Sequence, residues 1–377
     1  MGLRVVQNGT TKNIAQCRIV QNGVTKQITK IYSIISGITK LVWEYAVGGY
    51  QGKIKKVSSV TSLSETKRYI GAASVGDYAV FAGGATSSQT SVVEAYSSSL
   101  VRKTATSLGT AKKYVQGTSL TNYAIFATGA AGSTKKSCVD AYSSSLTRTA
   151  PSALSSARYY SAAATVGNYA IFGGGSGLTA VDAYNQSLTK VTVSALATAK
   201  SKLAAAGVGN YAIFAGGYNG TSNIYATLDV YDTSLTKKSA NNLSAARYDL
   251  AATSTETHAF FSGGNTTGST SGYSKVVDVY NASLVKQSSL SISLAGEATS
   301  AASVGGFAIF AGGDVSSDDG GESGKVDIFN ADLTKYGTLS LTTPRYGMGA
   351  ATVGDYAIFA GGYDGGRLST VDAFQYY

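Results

Sequence analysis

The sequence predicts an all-β protein built almost entirely from one repeated unit. An aromatic residue or His, followed by Ala-Ile-Phe-Ala-Gly-Gly or a close variant, recurs seven times at spacings of 42 to 49 residues. It falls at Tyr78, Tyr123, Tyr169, Tyr211, His258, Phe307 and Tyr356. Repeats of this length, made of short apolar segments and glycine-rich turns, are typical of propeller blades, and the 3.6-residue period of helical repeats is absent. A seven-bladed β-propeller is therefore expected over residues 49–377.

Each unit divides into four predicted strands. In the first unit these are Arg68–Val75, Tyr78–Ala82, Val92–Tyr96 and Val101–Leu108. The first strand is rich in small residues, which fits a position at the crowded axis of the ring. Ala-Ala pairs recur there at 72–73, 162–163, 204–205, 251–252, 301–302 and 350–351.

The last unit predicts how the ring closes. It stops after its third strand, Val371–Phe374, whereas 53–63 precedes the first unit and reads like an isolated fourth strand. We expect this segment to join the last blade, because closure removes exposed sheet edges.

Three features of the unit resemble kelch repeats. They are the double glycine after an apolar strand (Gly83-Gly84), the segment Val181-Asp182-Ala183-Tyr184, and a Leu-x-x-x-Arg near the blade end. The resemblance covers residues 53–377 and implies a kelch-like propeller. The fourth strand reads Ser-Leu-Thr-Lys or similar, where kelch repeats usually carry Trp.

A second repeat, with a period of 14 residues, occupies the N-terminal segment. Arg4-Val-Val-Gln-Asn-Gly, Arg18-Ile-Val-Gln-Asn-Gly and the looser Tyr32-Ser-Ile-Ile-Ser-Gly each predict a small hairpin. The turns would lie at Asn8-Gly9, Asn22-Gly23 and Ser36-Gly37. Three such hairpins bury little apolar surface, so we expect the module at 1–48 to pack on other chains and to support a homo-oligomer.

The end of this module resembles the N-termini of structural proteins of phages and prophages of Gram-positive bacteria. The similarity rests on the Asn-Gly-x-x-Lys pattern and on Leu41-Val42-Trp43. It implies attachment to other virion or particle proteins through residues 1–45, at the surface of a virion or phage tail-like particle. An N-terminal segment without an anchoring role is the alternative.

The distribution of charged and of apolar residues argues against nucleic acid and membrane as partners. Residues 1–56 hold nine Lys or Arg and one acid, Glu44, but these basic residues alternate with apolar ones along strands. A solvated strand face explains them, so nucleic-acid binding is not expected. No stretch reaches 18 consecutive apolar residues, so no membrane insertion is expected.

The residues that catalysis and metal binding require are scarce. The only histidine, His258, stands where the other units have Tyr or Phe. We therefore predict a non-enzymatic protein without cofactor. An acid on the third strand recurs in all seven units, which indicates architecture, and a basic residue after a Leu is its predicted partner. The acids are Glu94, Asp140, Asp182, Asp229, Asp278, Asp327 and Asp372, and the basic residues are Lys112, Arg158, Lys200, Arg247 and Arg345.

Loops after the double glycines vary from unit to unit, and their face is the candidate binding surface. Three of them mix aromatic rings with amides and hydroxyls, a composition that suits sugar recognition. The candidate residues are Tyr218, Asn219, Asn223, Tyr225, Asn265, Tyr273, Tyr363, Asp364 and Arg367. A fourth loop contains Asp314, Asp318, Asp319 and Glu322, which is either a solvated loop or a calcium site, and its spacing matches no EF-hand.

These observations predict a virion or tail-fibre-like structural protein whose N-terminus attaches to the particle and whose propeller binds a host-surface ligand, a glycan or a protein. Two alternatives stay open. One is an intracellular kelch scaffold for protein interactions, and the other is a propeller enzyme that cleaves glycans with paired carboxylates.

Overall fold

The computed structural model describes residues 53–315 and 321–377, together with the backbone of six short strands between residues 3 and 44. The chain divides into two compact units, Met1–Gln51 and Gly52–Tyr377. The larger unit is a ring of seven four-stranded antiparallel sheets, so the predicted seven-bladed β-propeller is confirmed. Helix within the described residues is limited to the 3-10 turn Thr270–Gly272, and none has the length and apolar character that a membrane crossing requires.

The blades have the following strands, from the innermost to the outermost: Gly71–Val75, Tyr78–Ala82, Val93–Ser97 and Arg102–Ala105 in blade 1; Gln116–Ser119, Ala124–Ala127, Asp140–Tyr142 and Arg148–Thr149 in blade 2; Ala162–Val166, Tyr169–Gly173, Val181–Tyr184 and Lys190–Val191 in blade 3; Ala204–Val208, Tyr211–Ala215, Leu228–Asp232 and Lys237–Lys238 in blade 4; Ala251–Ser254, His258–Ser262, Val276–Asn281 and Leu290–Ser291 in blade 5; Ser300–Val304, Phe307–Ala311, Lys325–Phe329 and Lys335–Ser340 in blade 6; Gly349–Val353, Tyr356–Ala360, Val371–Tyr376 and Ile54–Lys56 in blade 7. Two short ribbons accompany them, Ala130–Ala131 with Thr134–Lys135 and Gly296–Glu297 with Asp314–Val315.

The smaller unit consists of three antiparallel strand pairs. They are Leu3–Gln7 with Thr10–Ile14, Arg18–Gln21 with Val24–Gln27, and Lys30–Ile35 with Ile38–Glu44. The predicted turn residues between the paired strands, at 8–9, 22–23 and 36–37, lie outside the described residues.

The ring closes through the segment that precedes the first blade. Ile54–Lys56 pairs antiparallel with Val371–Tyr376 and forms the outermost strand of blade 7. This strand is shorter than the predicted segment 53–63. The chain beyond it stays attached to the blade, because the amide of Val57 donates to the carbonyl of Ala373 at 2.9 Å.

Small residues line the axis, as the sequence predicts. The first strands of neighbouring blades contact one another around a complete circuit, and their inner side chains face a central cavity. The residues with that position are Ala72, Gly117, Ala163, Ala205, Ala252, Ala301 and Ala350. Seven copies converge there, so larger side chains would collide.

Aromatic pairs fill the sheets. In every blade a buried Phe of the second strand meets a buried Tyr or Phe of the third strand edge-on, with ring centroids 5.7 to 6.3 Å apart, a favoured aromatic geometry. Each pair therefore contributes apolar burial and fixes the spacing of adjacent strands.

The recurring acids form buried ion pairs, which we call the clasp. In six blades the carboxylate on the third strand lies 2.5 to 3.2 Å from a fully buried cation on the connection that leads into the same blade. The pairs are Lys67–Glu94, Lys112–Asp140, Arg158–Asp182, Lys200–Asp229, Arg247–Asp278 and Arg345–Asp372. In every blade the same carboxylate also accepts a backbone N–H from that connection. The predicted structural pairing is thus present, and it ties each connection to its blade.

Candidate functional site

One end of the central cavity is bordered by seven residues, one from each blade, which we call the mouth ring. They are Tyr69, Tyr114, Tyr160, Lys202, Asp249, Ala298 and Gly347. All seven have left-handed backbone conformations, with φ between 52° and 67°. In six of the seven positions the amide donates to the carbonyl of the mouth-ring residue in the preceding blade, at 2.8 to 3.4 Å. A circle of backbone hydrogen bonds, interrupted between Tyr114 and Tyr160, thus holds the mouth in a fixed shape.

The local sequence explains how each residue reaches this place. Each mouth-ring residue lies two positions after the buried cation of the clasp, or after Gly296 in blade 6, and just before the first strand. The clasp anchors the connection, and the chain must then turn sharply to enter the axis. A left-handed conformation makes this turn at a cost of about 1–2 kcal/mol for a non-glycine residue, which the circle of hydrogen bonds offsets.

One side of the mouth ring is aromatic. The centroid of the Tyr114 ring lies 4.6 Å from those of Tyr69 and Tyr160, and Tyr160 lies 4.7 Å from Tyr159. All four rings are half-buried, so part of each remains open to solvent. Burial raises the pKa of Tyr69 and Tyr160, and their hydroxyls hydrogen-bond to Tyr346 and Tyr114 respectively.

The opposite side carries charge. Lys202 Nζ lies 2.7 Å from Asp249 Oδ2, and both side chains are partly exposed, at 27% and 21%. Burial lowers the pKa of Lys202, but the neighbouring Asp249 outweighs it and the net pKa is raised. For Asp249, burial prevails over the attraction of Lys202, and the pKa of this carboxyl is raised.

Two further carboxylates lie beside this pair. Glu297 and Asp314 are directly opposite each other on the short ribbon of blade 6, where like charges repel. Burial, with the negative charges of Asp249 and Asp314, raises the pKa of Glu297 to about 7, against the opposing effects of Lys202 and Asn265. Burial also raises the pKa of Asp314, whose carboxylate accepts a hydrogen bond from Tyr273. Perturbed carboxylates of this kind concentrate at functional sites.

The residues that precede the mouth ring form an outer circle, the rim ring. It consists of Arg68, Lys113, Tyr159, Ser201, Tyr248, Glu297 and Tyr346. In blades 1, 4, 5 and 7 the rim residue bridges to the residue after the double glycine of its blade, and in blade 2 Lys113 bridges to Ala130, after Thr128-Gly129. The loops after the double glycines therefore border the mouth, on the face that the sequence indicated.

Ala298 and Gly347 leave the mouth open on one side. The axial cavity that opens here measures about 340 Å³, and alanines and glycines of the first strands line much of its wall. A Cβ atom on Gly347 would lie 3.2 Å from the Tyr69 ring, so a larger residue there would narrow the opening. The tyrosines, the charged pair and this gap together make a shallow asymmetric bowl.

Four of the nine candidate residues from the sequence lie beside this bowl. Tyr218 packs on Tyr248 at 5.3 Å, Tyr363 packs on Tyr346 at 5.5 Å, and Tyr273 contacts Asp314. Asn265 touches Glu297, but it is buried, and its amide is bonded to Thr267, Gly268 and Ser269 of its own loop. It shapes the loop and has little capacity left for a ligand.

The other five candidates lie farther out along the loops. Asn219 Oδ1 accepts the amides of residues 221, 222 and 223, so it organises its loop, and Asn223 is exposed at the end of that turn. Tyr225 is half-buried and its amide donates to Gly217. Asp364 and Arg367 are exposed, with Asp364 accepting the amide of Gly366. The structure does not bring these residues into the bowl.

The acidic loop of blade 6 is described only in part. Asp318 and Asp319 lie outside the described residues, while Asp314 and Glu322 form a backbone bridge. Within 53–315 and 321–377 there is no group of three or more His, Cys, Asp or Glu side chains that could hold a metal ion. His258 lies at the start of a second strand, away from the mouth, and its Nδ1 is 2.9 Å from the Thr257 hydroxyl.

Sequence reasoning missed both rings. It identified the repeated cation, but the informative residues are the two that follow the cation, or follow Gly296 in blade 6. In blades 1 to 7 these two residues are Arg-Tyr, Lys-Tyr, Tyr-Tyr, Ser-Lys, Tyr-Asp, Glu-Ala and Tyr-Gly. Their variation within otherwise similar repeats was the available signal.

Comparison with known proteins shows a likeness in architecture alone. The chain matches no protein-family model and no curated protein. Its fold is similar to that of a solved structure, "Structure of YjhT", with 11% sequence identity and a TM-score of 0.51, covering 84% of this chain and 95% of that chain. At such low identity the likeness concerns the fold alone.

Proposed function

We propose that the propeller is a binding module and that its mouth recognises carbohydrate. The observation that carries the proposal is the mouth ring, where seven equivalent backbone positions hold side chains of different chemistry. A purely architectural ring would repeat its side chains, as the clasp does. Here three tyrosines, an ion pair and two small residues make a surface with distinct sides.

The chemistry of the bowl suits a sugar. Pyranose rings offer apolar faces that pack on aromatic rings, and their hydroxyls need fixed donors and acceptors. The half-exposed rings of Tyr69, Tyr114 and Tyr160 supply the aromatic surface for the sugar face. The protonated tyrosine hydroxyls, with Lys202 and Asp249, supply donors and acceptors for the sugar hydroxyls. The rigid circle of hydrogen bonds lowers the entropy cost of binding.

Truncation of the aromatic side tests this function. Tyr114→Ala and Tyr160→Ala should each weaken glycan binding about tenfold, or about 1.4 kcal/mol, in calorimetric titration. Because Ala and Tyr both carry a Cβ, the left-handed backbone costs the same in the variants. Tyr377→Ala, which removes a 57% exposed ring at the last residue of the chain, is the matched control and should bind like the wild type. Equal binding by all four proteins would refute the proposal.

We propose in addition that the protein is a structural component of a virion or phage tail-like particle and joins it through residues 1–45. The support is the 14-residue repeat with its terminal Leu41-Val42-Trp43, together with strand pairs too small to form a core alone. Particle assembly with a chain that begins at Tyr50 tests this role. Incorporation of the shortened chain at the wild-type level would contradict it.

Glycan cleavage is the second candidate, because one observation favours it. Glu297 has a pKa near neutrality and lies opposite Asp314, and glycosidases use a carboxylic acid with a raised pKa beside a carboxylate. Release of reducing ends from bacterial wall polysaccharide, abolished by Glu297→Gln, would favour an enzyme. We expect binding without release.

A further inference from the structure

Arg68 occupies an unusual position on the rim ring. Its guanidinium lies 4.0 Å from the centroid of the Tyr363 ring and 4.8 Å from that of Tyr69, and Nη1 donates to the Tyr346 hydroxyl at 3.0 Å. Stacking on aromatic faces fixes the plane of the guanidinium, so its edge points in a defined direction.

Among the described residues, no carboxylate forms an ion pair with Arg68. Residues 53–315 and 321–377 include seven arginines, and five of them lie 2.5 to 3.5 Å from a carboxylate oxygen. Among the described residues, the two without such a partner are Arg68 and Arg367, and Arg367 is exposed to water. Arg68 is half-buried, and its Nε is buried without a hydrogen-bond acceptor. A partly desolvated guanidinium is a strong binding group for an anion.

Lys113 holds the equivalent position in the next blade. Its Nζ lies 5.4 Å from the centroid of the Tyr114 ring, and within the described part of the chain no carboxylate pairs with it. Two cations therefore stand on neighbouring blades, each directly before a tyrosine of the mouth ring. The acids Asp249, Glu297 and Asp314 belong to blades 5 and 6. The aromatic side of the bowl thus carries two cations, whereas the other side carries these three acids around Lys202.

We infer that Arg68 and Lys113 form an anion subsite, and that the carbohydrate bound at the mouth is acidic. The inference rests on the proposed carbohydrate-binding function and adds the class of ligand. The sugar ring packs on Tyr69 and Tyr114, and a carboxylate, sulfate or phosphate on that sugar accepts hydrogen bonds from the Arg68 guanidinium. Uronic acids, sialic acids and phosphate-substituted wall polymers share this chemistry.

The test uses the full chain and pairs of saccharides that differ only in the acidic group. An array carries glucuronate-ended and glucose-ended oligomers, sialylated and unsialylated lactose, and N-acetylglucosamine oligomers with and without glycerol phosphate. The best pair is then titrated by calorimetry at low and high salt. We expect the acidic member to bind at least about tenfold more tightly, with a preference that shrinks in high salt.

Variants assign the preference to the subsite. Arg68→Gln should bind the acidic saccharide no more tightly than its neutral counterpart. Arg68→Lys should keep part of the preference, since it keeps the charge but loses the planar edge. Lys103→Gln removes the same charge from an exposed position on the outermost strand of blade 1 and should leave the preference intact.

The outcomes separate the two proposals. Equal binding of acidic and neutral members, or a full preference in Arg68→Gln, overturns the anion subsite while carbohydrate binding stands. Binding of no saccharide on the array overturns carbohydrate binding and the subsite together. The array also distinguishes carboxylate sources from phosphate sources.

Discussion

The clasp and the mouth ring lie two residues apart on the same connections, yet they are repeated in different ways. In the clasp both the backbone and the chemistry recur, with a buried cation and a carboxylate in six of seven blades. In the mouth ring only the backbone recurs, at φ values within 52° to 67°, and the side chains range from Gly347 to Tyr160. The ion pairs of the clasp recur because every blade needs them to hold its place in the ring. The side chains of the mouth ring differ because each blade can present a different residue on the same backbone.

Blade 6 departs from the clasp at one position. Gly296 takes the place of the cation, and the partners of Asp327 are Lys335, the amide and hydroxyl of Ser293, and the Thr338 hydroxyl. Gly296 pairs instead with Val315, which sets Glu297 opposite Asp314. The blade without the buried cation is thus the blade that brings a glutamate with a raised pKa to the rim.

The largest expected effect comes from the clasp of blade 5. Asp278→Asn leaves the guanidinium of Arg247 buried without a counter-charge, where now 2.5 Å separates them. Removing one partner of a buried ion pair typically costs about 3–5 kcal/mol. Denaturant unfolding monitored by tyrosine fluorescence should report a loss of this size.

The matched control is the ion pair of the mouth ring. Asp249→Asn removes a carboxylate at a similar distance, 2.7 Å from Lys202, but both side chains are partly exposed and the ammonium can turn to water. Asn also tolerates the left-handed conformation at this position. The expected loss is about 0–1 kcal/mol. Equal losses of unfolding free energy in the two variants would show that burial does not determine how much an ion pair contributes to stability.

An intermediate effect is expected in blade 6. Asp327→Asn weakens the hydrogen bonds from Ser293 and the ion pair with Lys335, but it leaves no fully buried cation behind. Since Lys335 is 36% exposed, a loss of about 1–2 kcal/mol is expected by the same unfolding measurement. A loss as large as that of Asp278→Asn would mean that removal of the carboxylate itself, and not a buried cation left without a counter-charge, determines the loss of stability.

The smallest effect is a difference in pH dependence. Despite burial, Lys200 holds the pKa of Asp229 below its usual range, and hydrogen bonds from Thr342 and Lys56, together with Arg345, do the same for Asp372. This part of the clasp therefore loses stability only as the pH falls through those low values. The pKa of Glu297 is raised, so the folded state binds the extra proton and its stability falls as the pH rises from about 4.5 to about 7. The groups around Glu297 are Lys202, Tyr248, Asp249, Asn265, Tyr273 and Asp314.

Thermal unfolding of the wild type and of Glu297→Gln between pH 5 and 8 measures this contribution. His258, whose pKa burial lowers, gives the opposite slope in both proteins, so the difference between the two curves is the informative quantity. The variant should gain relative stability as the pH rises. Parallel curves would mean that the pKa of Glu297 is the same in the folded protein as in the unfolded chain.

The hydrophobic pattern explains why much of the fold was predictable. Seven copies of an apolar strand, six of which end in two glycines, predict seven equivalent sheets, and the alanine pairs place the first strand at the axis. The outermost strand of blade 7 was located correctly but predicted too long, because strand pairing covers Ile54–Lys56 and the later residues hold to the blade only through separate backbone hydrogen bonds, such as that from Leu63 to Ser369. Of the candidate residues, those with aromatic rings beside the double glycine, Tyr218 and Tyr363, lie near the mouth.

The sequence by itself determined the number of blades, the axial strand, the ring closure, and the acids and five of the six cations of the clasp, because each depends on a pattern that recurs along the chain. Tertiary structure alone decided that Tyr69, Tyr114, Lys202 and Asp249 share one surface. These residues lie 45 to 180 positions apart and follow no common pattern. Only closure of the ring brings the seven connections to one circle, and there the side chains that differ become neighbours.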